Sequence, residues 1–126
     1  MKLTLTPQRW DMVAPFVTAE ETVSHIDVLH VMLEHEGLEG RAETMGVDYF
    51  GETVASLQAE LSALDPLAIE QLDREAVHTL LPPGGSRNGL DCALWDLQAK
   101  QTAGGISALT GITLTSLNTL FTLALD

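Results

Sequence analysis

Leu81-Pro-Pro-Gly-Gly-Ser-Arg87-Asn-Gly-Leu-Asp91-Cys-Ala-Leu-Trp95-Asp96-Leu-Gln-Ala-Lys100 is the stretch on which the fold turns. Pro82-Pro83 stops whatever helix precedes it, Gly84-Gly85 makes a tight turn, and Ser86 is placed to cap a new helix. Leu90, Ala93, Leu94 and Leu97 recur at three- and four-residue spacing and form one apolar face. Cys92, Trp95 and Ala99 form a second apolar surface alongside, so this helix is expected to be contacted on two sides and to be the most buried of its set. Asp96 and Lys100 have the i,i+4 spacing of a surface ion pair, worth about 0.3–0.5 kcal/mol when exposed. Arg87 and Asp91 share that spacing and are expected to anchor a neighbouring element.

Working outward, Asp73 can cap a preceding helix that runs through Leu80, with Val77, Leu80 and Leu81 apolar. Before it, Val54, Leu57, Leu61 and Leu64 mark an amphipathic helix within residues 52–64, ended by Asp65-Pro66. Further back the period changes from that of a helix to that of strands. Residues 2–6 alternate Leu3 and Leu5 with Lys2, Thr4 and Thr6, and Pro7 is expected to limit pairing and keep this strand at an edge. The β-branched run of residues 23–34 reads as a longer strand, and the turn His35-Glu-Gly37 leads to a third over residues 38–43. Three successive antiparallel strands make a meander. On the other side, Gly104-Gly105 precedes a short helix through Ala108-Leu109. Residues 117–125 then read as a strand apolar on both faces, of the kind buried in a parallel sheet.

Composition narrows the function classes. Eighteen acidic against six basic side chains give a formal charge of −12 in 126 residues. Such a field repels phosphate backbones and anionic lipid, which argues against nucleic-acid or membrane partners. The N-terminus has no apolar run followed by a small-residue cleavage site, and residues 101–125, although uncharged, carry too many Thr, Ser and Gly for a span of about 20 apolar residues. A single cysteine, Cys92, forms no internal disulfide and suits a cytoplasmic protein; as a residue of the apolar helix side it reads as a small core side chain rather than a nucleophile. The four histidines include no His-Glu-x-x-His or Cys/His cluster and read as surface or loop residues. Gly84-Gly85 lacks the partners of a phosphate cradle and reads as a turn.

Pro15-Phe16, the meander, Glu43, Tyr49-Phe50-Gly51-Glu52-Thr53, Pro82-Pro83-Gly84, Arg87-Asn88, Asp91, Ala93-Leu94-Trp95-Asp96-Leu97, Ala99-Lys100, Thr119 and Thr122 follow one another along the chain. In that order and spacing they resemble the capping domain of the enolase superfamily, in the branch holding muconate-lactonizing enzymes and dipeptide epimerases. The resemblance implies an α+β cap, a three-stranded antiparallel meander (about residues 2–43) followed by a helical bundle (about residues 50–110). It divides the chain into a capping domain, residues 1–112, and the orphan first strand of a (β/α)8 barrel, residues 113–126. A whole barrel takes about 250 residues, so the rest of it is expected to be absent and the chain to be a truncated enzyme, inactive alone.

The chemistry implied is Mg²⁺-assisted abstraction of a proton α to a carboxylate, with barrel lysines as bases and barrel carboxylates as metal ligands. Lys2 and Lys100 match neither lysine pattern, so no catalytic residue, no metal ligand and no Mg²⁺ bound by this chain are expected. Two cap loops, residues 16–22 and 44–49, correspond to those that choose the substrate; Thr18, Glu20, Glu21, Met45, Asp48 and Tyr49 are carried over as substrate-binding, with Thr122 from the first barrel strand. Arg87, Asp91, Trp95 and Asp96 are expected to dock on the barrel. Ala42, Met45, Gly46 and Asp48 depart from the family pattern. Glu21 stands where epimerases acting on Ala-Glu have an arginine, which implies a preference for a cationic or neutral dipeptide; the alternative is a solvated acidic turn.

The function implied is thus the specificity cap of a dipeptide epimerase. A muconate cycloisomerase or an o-succinylbenzoate synthase would share this cap. A reading of another class makes the chain a self-standing binding or assembly module. The edges of the last strand then predict self-association, a separate barrel partner, or disorder after Gly104.

Overall fold

Glu36 and Gly37 set the sheet. Their φ angles of 52° and 78° place both in the left-handed region, and a two-residue loop of that kind matches the twist of the strands it joins. On either side run β2 (Thr22–His35) and β3 (Leu38–Thr44), and β1 (Lys2–Val17) pairs with β2 in the antiparallel order β1-β2-β3. This is a computed structural model, which describes residues 1–19 and 21–121.

Register sorts the side chains. Leu3, Leu33 and Gly40 are successive partners across the sheet, as are Leu5, Val31 and Ala42. These residues share the face that packs on the helices, where Leu29, Val31 and Leu33 are fully buried. The expectation that pairing would stop at Pro7 is corrected: Pro7 pairs with Leu29 and β1 continues to Val17, with an irregularity between Asp11 and Phe16. β1 is an edge strand, so a proline whose nitrogen faces outward removes no ladder bond.

The helices are α1 (Val54–Ser62), α2 (Pro66–Glu70), α3 (Ala76–Leu80), α4 (Gly85–Gln101) and α5 (Gly105–Thr110). Thr53 and Ser56 form a capping box at the start of α1, through 3.1 Å and 2.8 Å bonds. Asp65-Pro66, expected only as a stop, also starts α2. The Asp65 carboxylate accepts from Leu67 N at 2.8 Å and proline takes the first helical position, where no N–H is needed. α3 starts at Ala76, later than expected, with Glu75 rather than Asp73 at its N-cap; the Asp73 carboxylate still accepts from Glu75 N at 2.9 Å and Ala76 N at 2.7 Å, in the turn that leads into the helix.

Ser86 does not cap α4, contrary to expectation. It is buried in the first turn of that helix, its Oγ 3.5 Å from Leu57 O. The helix end is met instead by Glu52, whose Oε1 accepts from Gly85 N at 2.9 Å.

Leu90, Ala93, Leu94 and Leu97 of α4 are buried against β2 and β3, joined in the core by Leu57 and Leu61 of α1, Ile69, Leu72, Val77 and Leu81. Each fully buried leucine contributes about 1.5–3 kcal/mol, against about 0–1 kcal/mol for a surface ion pair; the apolar stripe therefore holds α4 on the sheet. The approach is close. A Cβ on Gly40 would lie 2.1 Å from Ala93 O and 2.5 Å from Leu97 Cβ.

Asp96 and Lys100 do more than the minor surface pairing expected of them. Asp96 Oδ2 accepts from Lys100 Nζ at 2.6 Å and from Arg41 N at 2.7 Å, while Lys100 Nζ also donates to Glu39 O at 2.7 Å. Together they clasp α4 to β3.

The second side of α4 is less enclosed than expected. Cys92 is exposed rather than a core residue, and Trp95 and Ala99 are half-buried. Arg74 covers part of this side, its guanidinium carbon 4.0 Å from the Trp95 ring centroid.

α5 packs on α4, so the chain is ordered past Gly104 through Thr110. Residues 112–121 have no regular structure and are exposed. The strand expected over 117–125 is therefore absent from its described part, and residues 122–125 lie outside the described residues. A single strand with no neighbour gains no ladder, and water satisfies its backbone as well. No described helix is long and apolar enough to cross a membrane.

Candidate functional site

The face of the sheet that is apolar beneath the helices turns polar where the β1–β2 hairpin outruns them. By register Arg9 faces Asp27 and Asp11 faces His25, continuing the rows begun by Leu5 and Pro7. Between this part of the hairpin and the start of α1 lies a groove of ≈ 770 Å³.

Two loops bound the groove. At the hairpin tip Thr18 N donates to Glu21 O at 2.8 Å, and Glu21 N donates to Thr18 Oγ1 at 3.0 Å, which closes the turn with a side chain. On the other side a single 3-10 turn, Asp48–Phe50, ends at Gly51, whose φ of 73° allows its N–H to reach Asp48 O at 2.8 Å. A Cβ on Gly46 would lie 2.5 Å from the Glu52 carbonyl group and 2.7 Å from Thr53 N. The tight fold of this loop over the start of α1 therefore requires glycine there, which accounts for one departure from the family pattern.

Glu52 holds the second loop in place. Its Oε2 accepts from Val47 N at 3.2 Å while Oε1 takes Gly85 N, so one carboxylate ties the loop to the N-terminus of α4. Negative charge at a helix N-terminus is favourable in its own right. Thr44, nearly buried, adds a bond from Oγ1 to Gly85 O at 2.9 Å.

Of the substrate-binding residues read from the sequence, Glu21, Met45 and Asp48 line this one groove. Thr18 shapes the tip beside it. Tyr49 stands outside the lining, 84% exposed, with its ring edge-on to Phe50 at 4.6 Å. Glu20 and Thr122 lie outside the described residues.

Arg9, His25 and Asp27 also line the groove and were missed by sequence reasoning. Ending the first strand at Pro7 hid them; carrying the alternation two residues further would have set Arg9 opposite Asp27. Arg9 Nε and Nη2 bind Asp27 Oδ1 and Oδ2 at 2.7 Å and 2.9 Å, and His25 Nε2 lies 3.8 Å from Asp27 Oδ2. The hydrogen bond from Arg9 holds the Asp27 carboxyl below its usual range, and the same bond raises the Arg9 guanidinium.

On the far side of α4, Arg87 and Asp91 do not pair with each other; the ion-pair neighbour of Asp91 is His78 of α3, with Nε2 3.9 Å from Oδ1. That oxygen is buried and accepts no hydrogen bond from the described residues. Trp95 lies on the same stripe, whereas Asp96 is turned to β3.

The groove holds no lysine, and neither Lys2 nor Lys100 lines it. Although Cys92 is exposed overall, partial desolvation of its thiol and the charge of Asp91 push the thiol up, the opposite of an activated nucleophile. The described residues contain no group of three His, Cys, Asp or Glu able to hold a metal ion, so the residues here do not fit a Mg²⁺ site. What the groove can do is bind and discriminate.

Residues 1–111 match the model of the mandelate racemase / muconate lactonizing enzyme N-terminal domain. The chain belongs to that family. The mandelate racemase / muconate lactonizing enzyme N-terminal domain described here is similar to the L-Ala-D/L-Glu epimerase of Escherichia coli (strain K12), with 39% identity over 107 residues, covering 85% of this chain and 33% of that protein. It is also similar to a solved enolase family member from Agrobacterium tumefaciens with homology to dipeptide epimerases, containing bound sodium and L-Ala-L-Glu with an ordered loop. Identity there is 27%, coverage 98% of this chain and 38% of the other, and the TM-score 0.88. The dipeptide epimerase of Methylococcus capsulatus complexed with Mg and L-Arg-D-Lys shares the fold at 23% identity and a TM-score of 0.64, over 79% of this chain and 31% of that one. The chain thus spans about a third of the length of these relatives.

Proposed function

We propose that this domain is the substrate-selecting cap of a dipeptide epimerase. The observation that carries the reading is the meeting of the hairpin tip and the second loop on one groove, lined by Glu21, Met45 and Asp48, in a domain 39% identical to part of an L-Ala-D/L-Glu epimerase. Epimerisation removes and returns a proton at the α-carbon of one residue; Mg²⁺, if the complete enzyme uses it, would supply positive charge beside the reacting carboxylate, and none of the residues described here would hold it. The chemical groups belong to the barrel. The cap binds the side chain of the dipeptide through Glu21, Met45 and Asp48, with Thr18 shaping the tip beside them, and shields the reacting carbon from water; Glu20, Tyr49 and Thr122 are proposed as further substrate contacts. The α4 stripe of Arg87, Asp91 and Trp95 is the surface proposed to meet the barrel. Asp96, committed to β3, supports that stripe from behind. A reducing cytoplasm suits the lone cysteine.

A chimaera tests this reading. Residues 1–111 replace the equivalent part of the Escherichia coli epimerase, and α-proton exchange in D₂O is followed across a panel of Ala-X dipeptides. The chimaera is expected to catalyse exchange with a preference shifted from the parent's, and the 126-residue chain alone to catalyse none. A folded chimaera with the parent's unchanged preference would refute the selecting role.

The exposed Ile112, Leu114, Leu117, Leu120 and Phe121 favour a second reading, an assembly module that self-associates or docks on a separate barrel. Light scattering over a concentration series tests it; a monomer throughout would remove self-association.

A further inference from the structure

We infer that the groove selects dipeptides carrying a cationic side chain, an inference that rests on the cap reading above and names the substrate class. Most of the charged groups lining the groove are already committed to partners within the domain. Its one guanidinium, Arg9, is taken up by both oxygens of Asp27. His25 faces the same carboxylate. Glu52 has both oxygens on backbone N–H groups, at Val47 and Gly85.

Glu21 and Asp48 remain. They come from the two opposite loops, and neither carboxylate has a hydrogen bond or ion pair among the described residues. The groove therefore offers an incoming anionic side chain no uncommitted cation. A cationic side chain meets two uncommitted carboxylates, one from each side. Charge of one sign in a partly enclosed cleft also raises the local concentration of the opposite sign.

Both residues are suited to substitution. The bonds that shape the loops use the Glu21 and Asp48 main chain, so Glu21→Gln and Asp48→Asn leave the turns intact. The test titrates the full ¹⁵N-labelled chain with L-Ala-L-Lys, with L-Ala-L-norleucine, which has the same stem without the charge, and with L-Ala-L-Glu. All three share the backbone ammonium and carboxylate, so differences report the side chain.

L-Ala-L-Lys is expected to shift the amides of Glu21, Val23, Asp48 and Thr53 and to bind more tightly than L-Ala-L-norleucine. Each substitution is expected to weaken it by up to about fivefold, the range of an exposed ion pair, and the double variant to make the two ligands equal. Added salt reduces the difference in the same way. Equal binding of lysine and norleucine dipeptides, or stronger binding of L-Ala-L-Glu at the same amides, overturns the cationic preference and leaves the cap reading standing. No shift at the groove with any dipeptide overturns both.

Discussion

Gly40 shows how little room the packing leaves. Its Cα faces Ala93 O and Leu97 from β3, and the obstructing atoms include helix backbone, which cannot rotate away. Gly40→Ala is therefore expected to push β3 off α4, at a cost at or above the about 1–3 kcal/mol typical of overpacking, read as a lower urea midpoint. Asp96 makes a different prediction. Burial opposes its charge most strongly, but the bonds from Lys100 and from Arg41 N together outweigh burial and bring its carboxyl below the ordinary value of 3.8. A depressed folded value means that the stabilisation is complete above 3.8 and is lost as pH falls through the folded value below it. Asp96→Asn is expected to cost up to about 1 kcal/mol at neutral pH, because solvent screens a side chain that is 35% exposed. In acid the difference from the parent should close; a gap that stayed constant below pH 3.8 would show that the carboxylate charge is not what Asp96 contributes.

At the scale of elements, what the sequence revealed depended on how far apart the deciding residues lie. The stretch from Leu81 to Lys100 announced α4, because Leu90, Ala93, Leu94 and Leu97 carry the helical period within one segment. The turn at Glu36-Gly37 was equally local. α2 was missed because Asp65-Pro66 is both a poor continuation and a good beginning, and only the contact of Ile69 with the core chooses between them. The cap of α4 was misread for the opposite reason: Ser86 is adjacent and Glu52 is 33 residues away, yet the distant carboxylate makes the bond. Hence Ser86→Ala is expected to change stability less than Glu52→Ala, which leaves the Val47 and Gly85 N–H groups unpaired at about 1–3 kcal/mol; denaturant curves rank the two. Half of the candidate site was legible in the same uneven way. Glu21, Met45 and Asp48 came from matching loops to a family, while Arg9, His25 and Asp27 needed the true length of the hairpin.

Over the whole molecule, stability is expected to divide into two classes. Amides of Leu29, Val31, Leu33, Leu90 and Leu94, in fully buried and hydrogen-bonded elements, should exchange with solvent only on global unfolding, and those of residues 112–121 at nearly unprotected rates. Mass-spectrometric exchange would show this directly, and protection across 112–121 at micromolar concentration would mean that another copy covers them. The clasp of Asp96 and Lys100 matters again here. Arg41 N–H and Glu39 C=O belong to the outer margin of β3, and both are already bonded to side chains of α4. At the opposite margin, Pro7 interrupts the row of donors along β1. Both margins of the sheet thus carry a feature that disfavours pairing with a strand from a neighbouring copy, which directs any assembly of copies toward side-chain surfaces.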